Sequence, residues 1–361
     1  NVEFKRIMKI GFLTSKYSFG GGEHVMLILI KQMAELGHDV QIYTWEPEWK
    51  HIEKDININV NLISNPPIGW MGKLKSIFSL TKSLVKTKPE CLIVFSLYLA
   101  EVALFSTSFS RVPIIISERV DPGCLPTVRI HRSLRLIIYF FCQGIVFQTT
   151  PNSELYIKKI RRKSIVINNP IITRQITTTN NFVKEKVIIG VGRLSEEKNF
   201  TLLIKAFEKL KLPDYILKIY GKGPLENKLK ELIFSMGLED RVFLEGHVNK
   251  LDKFLRNSDI YVLSSNHEGV PNSLIEAMTL GMACIGTDVP SGGVRTLINH
   301  NYNGLIVPVN DIDKLAQSIS DLVYDRNLNL RLRNNAMNIS EVHTAKNVTE
   351  QWIYFLKKII Q

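Results

Sequence analysis

The sequence predicts an α/β protein made of two consecutive domains, each with a parallel sheet, and three observations support this fold class. The chain has 361 residues, which is more than one ordinary hydrophobic core accommodates. Short runs rich in Val, Ile and Leu alternate with helical patterns, as in parallel sheets that helices cover on both faces. A polar stretch at residues 168–186 interrupts this alternation, which then begins again.

The strands of the first half follow one another along the chain. The strand IMKIGFLTS is followed by the glycine-rich loop FGGGE and by the helix HVMLILIKQMAELG, which Gly37 ends. The further strands are HDVQIYT, CLIVFS, PIIISE, GIVFQT and SIVIN. Because these runs are mostly apolar, we interpret them as buried strands of one parallel sheet.

The second half repeats this arrangement. Its strands are VIIGVG, YILKIYG, VFLEG, IYVLSS and ACIGT, with helical segments between them. The final segment, 344–361, is amphipathic and is expected to pack back on a domain face. The sequence therefore predicts two Rossmann-like domains that face each other across a cleft: residues 1–170 with the C-terminal helix 345–361, a linker at 171–184, and residues 185–344.

The chain is basic, and its charge is unevenly distributed. The net charge is +12, from 46 Lys+Arg and 34 Asp+Glu. Residues 1–172 hold 22 basic and 13 acidic residues, a difference of +9, and the remainder holds 24 and 21, a difference of +3. The four cysteines form no CxxC pair, which argues against a zinc site or a disulfide framework. The most apolar stretch, 91–109, carries Glu101 in its middle, which argues against a transmembrane helix.

The basic residues of the first half lie beside apolar ones at 70–88 and 125–141. Arg129, Arg132 and Arg135 recur at three-residue spacing, so a helix would carry all three on one side. We interpret this surface as one that rests on an anionic membrane. The alternative is a solvated basic face whose apolar side packs on the core.

Polar groups gather at the strand ends of the second half. Arg193 and Lys198 follow its first strand, and two cations there suit a diphosphate, although alone they would be ordinary surface charges. Gly221 and Gly223 follow the next strand, where the backbone can approach a ligand closely. A helix begins within SSNHEGVPNSLIEA, and the N–H groups of a first helical turn can hold phosphate oxygens. Together these signals predict a phosphate-binding edge.

Two glutamates, Glu268 and Glu276, lie on either side of that helix start. One hypothesis is local: Ser273 caps the helix, and Glu276 closes a capping box three residues later. The other hypothesis is that the loop and the helix form a cradle for a ligand, with a carboxylate at each end.

The motifs GVGRLSEEKNF, IYGKGP, SSNHEGVPNSLIEAMTLGMACIGTDVPSGG and NGLIVPVND resemble the C-terminal domain of family-4 glycosyltransferases, which are retaining enzymes of the GT-B fold. The motifs SFGGGEHV, IISERVDP and VINNPI are similar to those of bacterial members that build capsular polysaccharide, exopolysaccharide or O-antigen units. The resemblance covers nearly the whole chain. It implies an acceptor-binding first domain and a nucleotide-sugar-binding second domain.

The resemblance also implies roles for individual residues. Arg193 and Lys198 would bind the nucleotide diphosphate and stabilise its charge as it leaves, which makes them catalytic together with Glu268. Glu268 would hold hydroxyls of the donor sugar, and Glu276 would hold the ribose. The other implied donor contacts are at Gly21, Gly22, Gly221, Gly223, Gly269, Asn272, Ser273 and Leu274.

Arg119 departs from the family pattern, because many relatives have His at this position of the motif SERVDP. It follows Glu118, and both lie on the implied acceptor side. An arginine cannot act as a general base, so we expect Arg119 to orient an anionic group such as an acceptor phosphate. The DID run at 311–313 resembles a metal motif, but it opens a helix, so we expect helix capping and no metal site.

The implied activity transfers a sugar from a nucleotide-sugar to a lipid-linked or growing polysaccharide acceptor, with formation of an α-glycosidic bond. The donor would be a UDP-sugar by family habit, and no cofactor is implied. The protein would be cytoplasmic and peripheral on the inner face of the plasma membrane, with no nucleic acid as partner. The resemblance places this activity in the synthesis of surface polysaccharides.

Two other classes of function are alternatives. A nicotinamide or flavin oxidoreductase would need G-x-G-x-x-G after a strand, and GGGEHV lacks the last glycine. A binding subunit without catalytic activity would keep the fold, but the intact Arg193, Lys198 and Glu268 speak against it. An absorbance scan for flavin and an assay for nucleotide-sugar turnover separate the three classes.

Overall fold

The structure of the chain is a computed structural model that describes residues 6–14, 21–53, 56, 58–119, 129–171, 185–248 and 251–361. The chain divides into two compact units, Asn1–Ile172 with Thr344–Gln361, and Thr173–His343. Each unit contains one parallel sheet covered by helices, which confirms the predicted fold class. Apart from Ile171, the predicted linker at 171–184 lies outside the described residues.

The first unit is built on a seven-stranded parallel sheet with the order β3-β2-β1-β4-β5-β6-β7. Its strands are β1 Lys9–Leu13, β2 Asp39–Thr44, β3 Asn59–Leu62, β4 Cys91–Val94, β5 Ile114–Ser117, β6 Gly144–Phe147 and β7 Ser164–Val166. Six of them are the predicted strands. The sequence pattern missed β3, because this edge strand is only partly covered and its sequence, NVNL, has no apolar run.

Helices cover both faces of this sheet. They are α1 Gly21–Glu35, α2 Lys50–Glu53, α3 Gly69–Thr87, α4 Leu97–Ser110, α5 Arg129–Phe141, α6 Thr150–Glu154, α7 Lys158–Arg161 and the C-terminal α15 Ala345–Ile360. Helices α1 and α15 pack together over one face, where Trp352 and Leu356 are fully buried. Helices α3, α4 and α5 form the layer on the other face. The C-terminal helix thus packs back on the first unit, as its amphipathic pattern predicts.

The second unit is built on a six-stranded parallel sheet with the order β10-β9-β8-β11-β12-β13. Its strands are β8 Glu185–Val191, β9 Ile216–Tyr220, β10 Val242–Gly246, β11 Ser258–Leu263, β12 Ala283–Thr287 and β13 Leu305–Val307. Its helices are α8 Phe200–Leu210, α9 Glu226–Ser235, α10 Leu251–Asn257, α11 Asn272–Thr279, α12 Ile312–Tyr324, α13 Arg326–Ala336 and α14 Ile339–Val342. Because β8 and β11 are neighbours, the loops that follow them meet at one edge of the sheet.

The apolar stretch 91–109 forms strand β4 and then helix α4, as its sequence predicts. Of the helices in the described ranges, none has both the length and the apolar composition that a bilayer crossing requires.

Candidate active site

The centre of the candidate site is an ion pair between Lys198 and Glu268 in the second unit. Lys198 lies in the turn after β8, and Glu268 lies in the loop between β11 and α11. Lys198 Nζ donates to Glu268 Oε1, and Ser265 Oγ donates to the same oxygen at 2.8 Å. The two side chains are mostly covered, with 22% of Lys198 and 12% of Glu268 exposed. The structure therefore brings together two of the three predicted catalytic residues.

Hydrogen bonds fix the two loops that carry this pair. Ser264 Oγ donates to the Lys198 carbonyl at 2.9 Å, and the Asn266 N–H donates to the Glu197 carbonyl at 2.7 Å. Asn199 caps α8 with its side-chain oxygen and donates through Nδ2 to Asn266 Oδ1 at 3.0 Å. These supporting residues were not among those that the sequence motifs predicted. The available signal was the polar run SSN directly after a buried strand.

The loops after β8 and β9 are joined backbone to backbone through two glycines. A Cβ on Gly223 would lie 2.3 Å from the Leu194 carbonyl oxygen, and one on Gly221 would lie 1.8 Å from the Gly192 carbonyl oxygen. The sequence predicts that a ligand approaches the backbone closely at these glycines. In the structure, the backbone of the loop after β8 makes this close approach. The third predicted catalytic residue, Arg193, lies between these contacts with its side chain exposed.

Helix α11 begins directly beyond the Glu268 loop, and its start excludes the capping-box hypothesis. Pro271 is the N-cap residue and offers no side-chain cap, so Ser273 lies inside the first turn and not at the cap. The helix therefore begins two residues earlier than the capping box requires, and a proline is tolerated at this start because its missing N–H removes no intrahelical hydrogen bond. Glu276 lies in the second turn and is partly exposed.

The first turn of α11 holds the three backbone positions that the resemblance implies as phosphate contacts. Asn272, Ser273 and Leu274 precede the first intrahelical hydrogen bond, which runs from the Ile275 N–H to the Pro271 carbonyl at 3.2 Å. N–H groups at such positions have no acceptor within their own helix, and the helix dipole favours an anion beside them. This turn can therefore bind a phosphate group.

Tyr261 on β11 contacts the first turn of α11. Its hydroxyl donates to Ser273 Oγ at 2.7 Å. Burial raises the pKa of Tyr261 well above its usual value, and the nearby charges of Glu268 and Glu276 raise it further. The phenol therefore stays protonated and keeps its hydrogen bond to the start of α11.

The DID run forms a helix cap, as predicted. The Asp311 side chain accepts a hydrogen bond from the Lys314 N–H at 2.9 Å at the start of α12, and Asp313 pairs with Lys209 on the surface. Within the described ranges, no group of three or more His, Cys, Asp or Glu side chains is arranged to hold a metal ion.

The first unit holds another carboxylate beyond a strand end, Glu118 after β5. Tyr139 Oη donates to Glu118 Oε2, and Arg135 Nη1 lies 3.7 Å from the same oxygen. Only 3% of the Glu118 side chain and 6% of the Arg135 side chain are exposed. The expectation that Arg135 lies on a basic outer surface is therefore wrong, because this arginine turns inward to pair with Glu118. Arg132 on the same helix is exposed.

Two further expectations concern the first unit. Arg119, beside Glu118, donates from Nη1 to Asn169 Oδ1 and stacks on the Phe95 ring.

Gly21 and Gly22 form the first turn of α1, so the expectation that they lie in a loop is wrong. Packing of α1 on the sheet outweighs the low helix propensity of these glycines.

Residues 172–339 match the family described as Glycosyl transferases group 1. The match includes the Lys198–Glu268 pair, the loops joined by Gly221 and Gly223, and helix α11. The second unit is a group 1 glycosyltransferase domain. Its ion pair, its glycine contacts and the first turn of α11 lie within the motifs that the sequence analysis singles out.

The whole chain is similar to bacterial glycosyltransferases. It is 27% identical to an uncharacterized glycosyltransferase of Haemophilus influenzae over 354 residues, which cover 95% of this chain and 98% of the relative. It is 24% identical over 362 residues to a Campylobacter jejuni protein, covering 98% of this chain and 99% of the relative. That relative is named as GalNAc-alpha-(1->4)-GalNAc-alpha-(1->3)-diNAcBac-PP-undecaprenol alpha-1,4-N-acetyl-D-galactosaminyltransferase.

A solved structure supports the fold over the same length. Anabaena HepE, in complex with UDP and glucose, matches with a TM-score of 0.83 at 19% identity, covering 97% of this chain and 100% of that chain. At this level of identity the likeness concerns the fold. It confirms the predicted GT-B fold class of the chain.

Proposed function

We propose that this protein is a retaining glycosyltransferase that moves a sugar from a UDP-sugar to a lipid-linked or growing polysaccharide acceptor and forms an α-glycosidic bond. The observation that carries the proposal is the Lys198–Glu268 pair, held by Ser265, inside a group 1 glycosyltransferase domain. The UDP and glucose bound to HepE support the choice of donor. The diphospho-undecaprenol substrate named for the Campylobacter relative supports the choice of acceptor.

The proposed reaction breaks the bond between the anomeric carbon and the nucleotide diphosphate and forms a bond from that carbon to the acceptor oxygen on the same face. The acceptor proton passes to an oxygen of the departing diphosphate. Fixed positive groups accelerate such a step where the negative charge develops. Arg193 and Lys198 supply two of these groups, and the first turn of α11 adds backbone N–H groups. Because these protein groups stabilise the developing negative charge, the proposed scheme needs no metal ion.

Lys198 changes its partner in this scheme. In the structure, Glu268 balances the Lys198 charge. When the donor enters, we expect the diphosphate to draw the ammonium group away. Glu268 stays in position through Ser265 and accepts hydrogen bonds from the sugar hydroxyls. Glu276, farther along α11, accepts from the ribose hydroxyls.

Turnover of UDP-sugars with a polyprenyl-diphosphate-linked glycan acceptor tests this proposal through the release of UDP. We expect Lys198→Met to lower kcat about 100- to 1000-fold, the loss that follows removal of one group stabilising a developing anion. Lys209→Met is the matched control, since it removes an exposed ion pair to Asp313 in the same unit. Activity should persist in EDTA. Equal rates in the two variants, or UDP binding without turnover by the wild type, would contradict the proposal.

We also propose that the first unit is peripheral on the anionic inner face of the plasma membrane, through the layer of α3, α4 and α5. These helices pack side by side. The layer carries many large apolar side chains that are exposed: Trp70, Met71, Leu74, Phe78, Val85, Tyr98, Phe105, Phe109, Leu136, Ile137, Phe140 and Phe141. Residues 69–88 contain five lysines and no Asp or Glu. Lys73 pairs with Glu101 of α4. Exposed aromatic and aliphatic groups beside a helix that carries lysines and no acidic residue suit an anionic lipid surface.

Liposome sedimentation tests this surface. We expect Trp70→Ser with Phe78→Ser to weaken binding to phosphatidylglycerol-containing vesicles at least about tenfold, because two aromatic side chains no longer enter the interface. The matched control is Phe234→Ser with Tyr324→Ser, which removes two equally exposed aromatic side chains from the second unit. Binding should fall with added salt and with neutral phosphatidylcholine vesicles. Binding that ignores both the lipid charge and the first pair of changes would refute the membrane proposal.

A further inference from the structure

Four neighbouring strands of the first sheet each contribute one side chain to a cluster at its carboxyl edge. Phe95 follows β4, Arg119 follows β5, Gln148 follows β6 and Asn169 follows β7. Arg119 Nη1 donates to Asn169 Oδ1, and Gln148 Nε2 donates to the same oxygen at 2.7 Å. The Arg119 guanidinium carbon lies 4.4 Å from the centre of the Phe95 ring. One edge and one face of the guanidinium group are therefore fixed.

The other edge of the Arg119 guanidinium has no acceptor among the residues that the structure describes. Its Nε and Nη2 atoms are buried and make no hydrogen bond to any of these residues. The neighbouring carboxylate, Glu118, binds Tyr139 and Arg135 instead. Burial lowers the pKa of Arg119 to about 9. A cation with two buried and unused donor atoms is unfavourable, and such groups commonly indicate a missing water, ion or ligand.

We propose that this cluster is an oxyanion site in which Nε and Nη2 of Arg119 bind two oxygens of one phosphoryl group. The free edge of an arginine presents two parallel N–H donors, which match the spacing of phosphate oxygens. The carboxyl ends of parallel strands are also where α/β proteins bind their ligands. That the oxyanion is a phosphoryl group and not a carboxylate rests on the proposed function, in which the acceptor carries a diphosphate.

The Nε–H resonance of Arg119 reads out this site directly in the full chain with isotope-labelled arginine. The Nε–H resonance that disappears in Arg119→Lys is assigned to Arg119. Should that variant not fold, Phe95→Leu assigns it instead, because removal of the stacked ring displaces the signal. Inorganic pyrophosphate is titrated at saturating UDP, because bound UDP keeps pyrophosphate out of the proposed donor site. Acetate is titrated in parallel at equal ionic strength.

We expect pyrophosphate to shift this resonance saturably and acetate to leave it in place. Calorimetry at saturating UDP should show roughly 10- to 100-fold weaker pyrophosphate binding in Arg119→Lys, because the two-point contact is lost. Arg132→Lys, an equally conservative change at an exposed arginine of the same unit, should bind as the wild type does. An unresponsive resonance, or a response to acetate alone, would overturn the site. If the chain did not bind UDP, the proposed donor would be wrong. A response of the Arg119 resonance to pyrophosphate would still support the oxyanion site.

Discussion

Each unit places a carboxylate near a cation beyond the carboxyl end of a strand, and the two pairs differ in their surroundings. Glu268 and Lys198 both lie on loops and keep 12% and 22% of their side chains exposed. Glu118 and Arg135 keep 3% and 6%, and Arg135 comes from a helix. A partly exposed pair can exchange one partner for a ligand. A buried pair that opens leaves a charge without compensation. The first pair suits ligand exchange, and the second suits the attachment of α5 to the sheet.

The largest effect that tests this comparison is on stability. We expect Glu118→Gln to lower the free energy of unfolding of the first unit by about 3–5 kcal/mol, because Arg135 stays buried without its counter-charge. Urea unfolding followed by tryptophan fluorescence measures this unit alone. All four tryptophans of the chain, Trp45, Trp49, Trp70 and Trp352, lie in it.

Glu268→Gln is the matched control for this experiment. Its partner Lys198 is partly exposed and can turn to water, so we expect a loss of no more than about 1 kcal/mol, seen in the circular dichroism and not in the fluorescence. Equal losses in the two variants would break the comparison, because both pairs would then be structural.

A smaller effect is expected from the backbone contact beside Arg193. In Gly223→Ala the new Cβ would lie 2.3 Å from the Leu194 carbonyl oxygen, so one loop has to shift. We expect a loss of about 1–3 kcal/mol in the second unit and weaker binding of UDP, since the shifted loop carries Arg193.

Gly22→Ala provides the contrast in the first unit. Outside its own helical turn, no atom of the described residues lies within 4 Å of the Cβ that it adds, and the site is in the first turn of α1. We expect no loss of stability there, and a gain of up to about 1 kcal/mol from higher helix propensity. If Gly223→Ala were as neutral as Gly22→Ala, the joined loops would not constrain the candidate site.

The second unit could be predicted well from sequence because its functional groups lie in short contiguous motifs. Lys198, Glu268 and the start of α11 each follow a strand that the apolar pattern identifies. The exact start of α11 was missed, because Pro271 takes the cap position that Ser273 was expected to fill. Even there, the error concerns two residues, and the turn that we propose to bind phosphate still begins the helix.

The cluster around Arg119 could not be predicted in the same way. Phe95, Gln148 and Asn169 belong to three other strand ends, and only the order of the sheet brings them together. The inward turn of Arg135 was missed for a geometric reason. Three-residue steps on a helix fall short of a full turn, so Arg135 is rotated by about 60° from the exposed Arg132. That rotation brings Arg135 toward Glu118.

The smallest effect separates a cap from a metal ligand at Asp311 in the second unit. As a cap, Asp311 accepts from the Lys314 N–H. We expect Asp311→Ala to cost about 1 kcal/mol in unfolding followed by circular dichroism, and Asp311→Asn almost nothing, because asparagine caps as well as aspartate. Turnover should be unchanged in both. A metal ligand would behave differently, because Asp311→Asn would lose activity that added Mn²⁺ restores only in part. Such a loss would mean that Asp311 is a third functional carboxylate in the second unit. The Lys198–Glu268 pair would then no longer differ from the charged residues around it, which we expect to be structural.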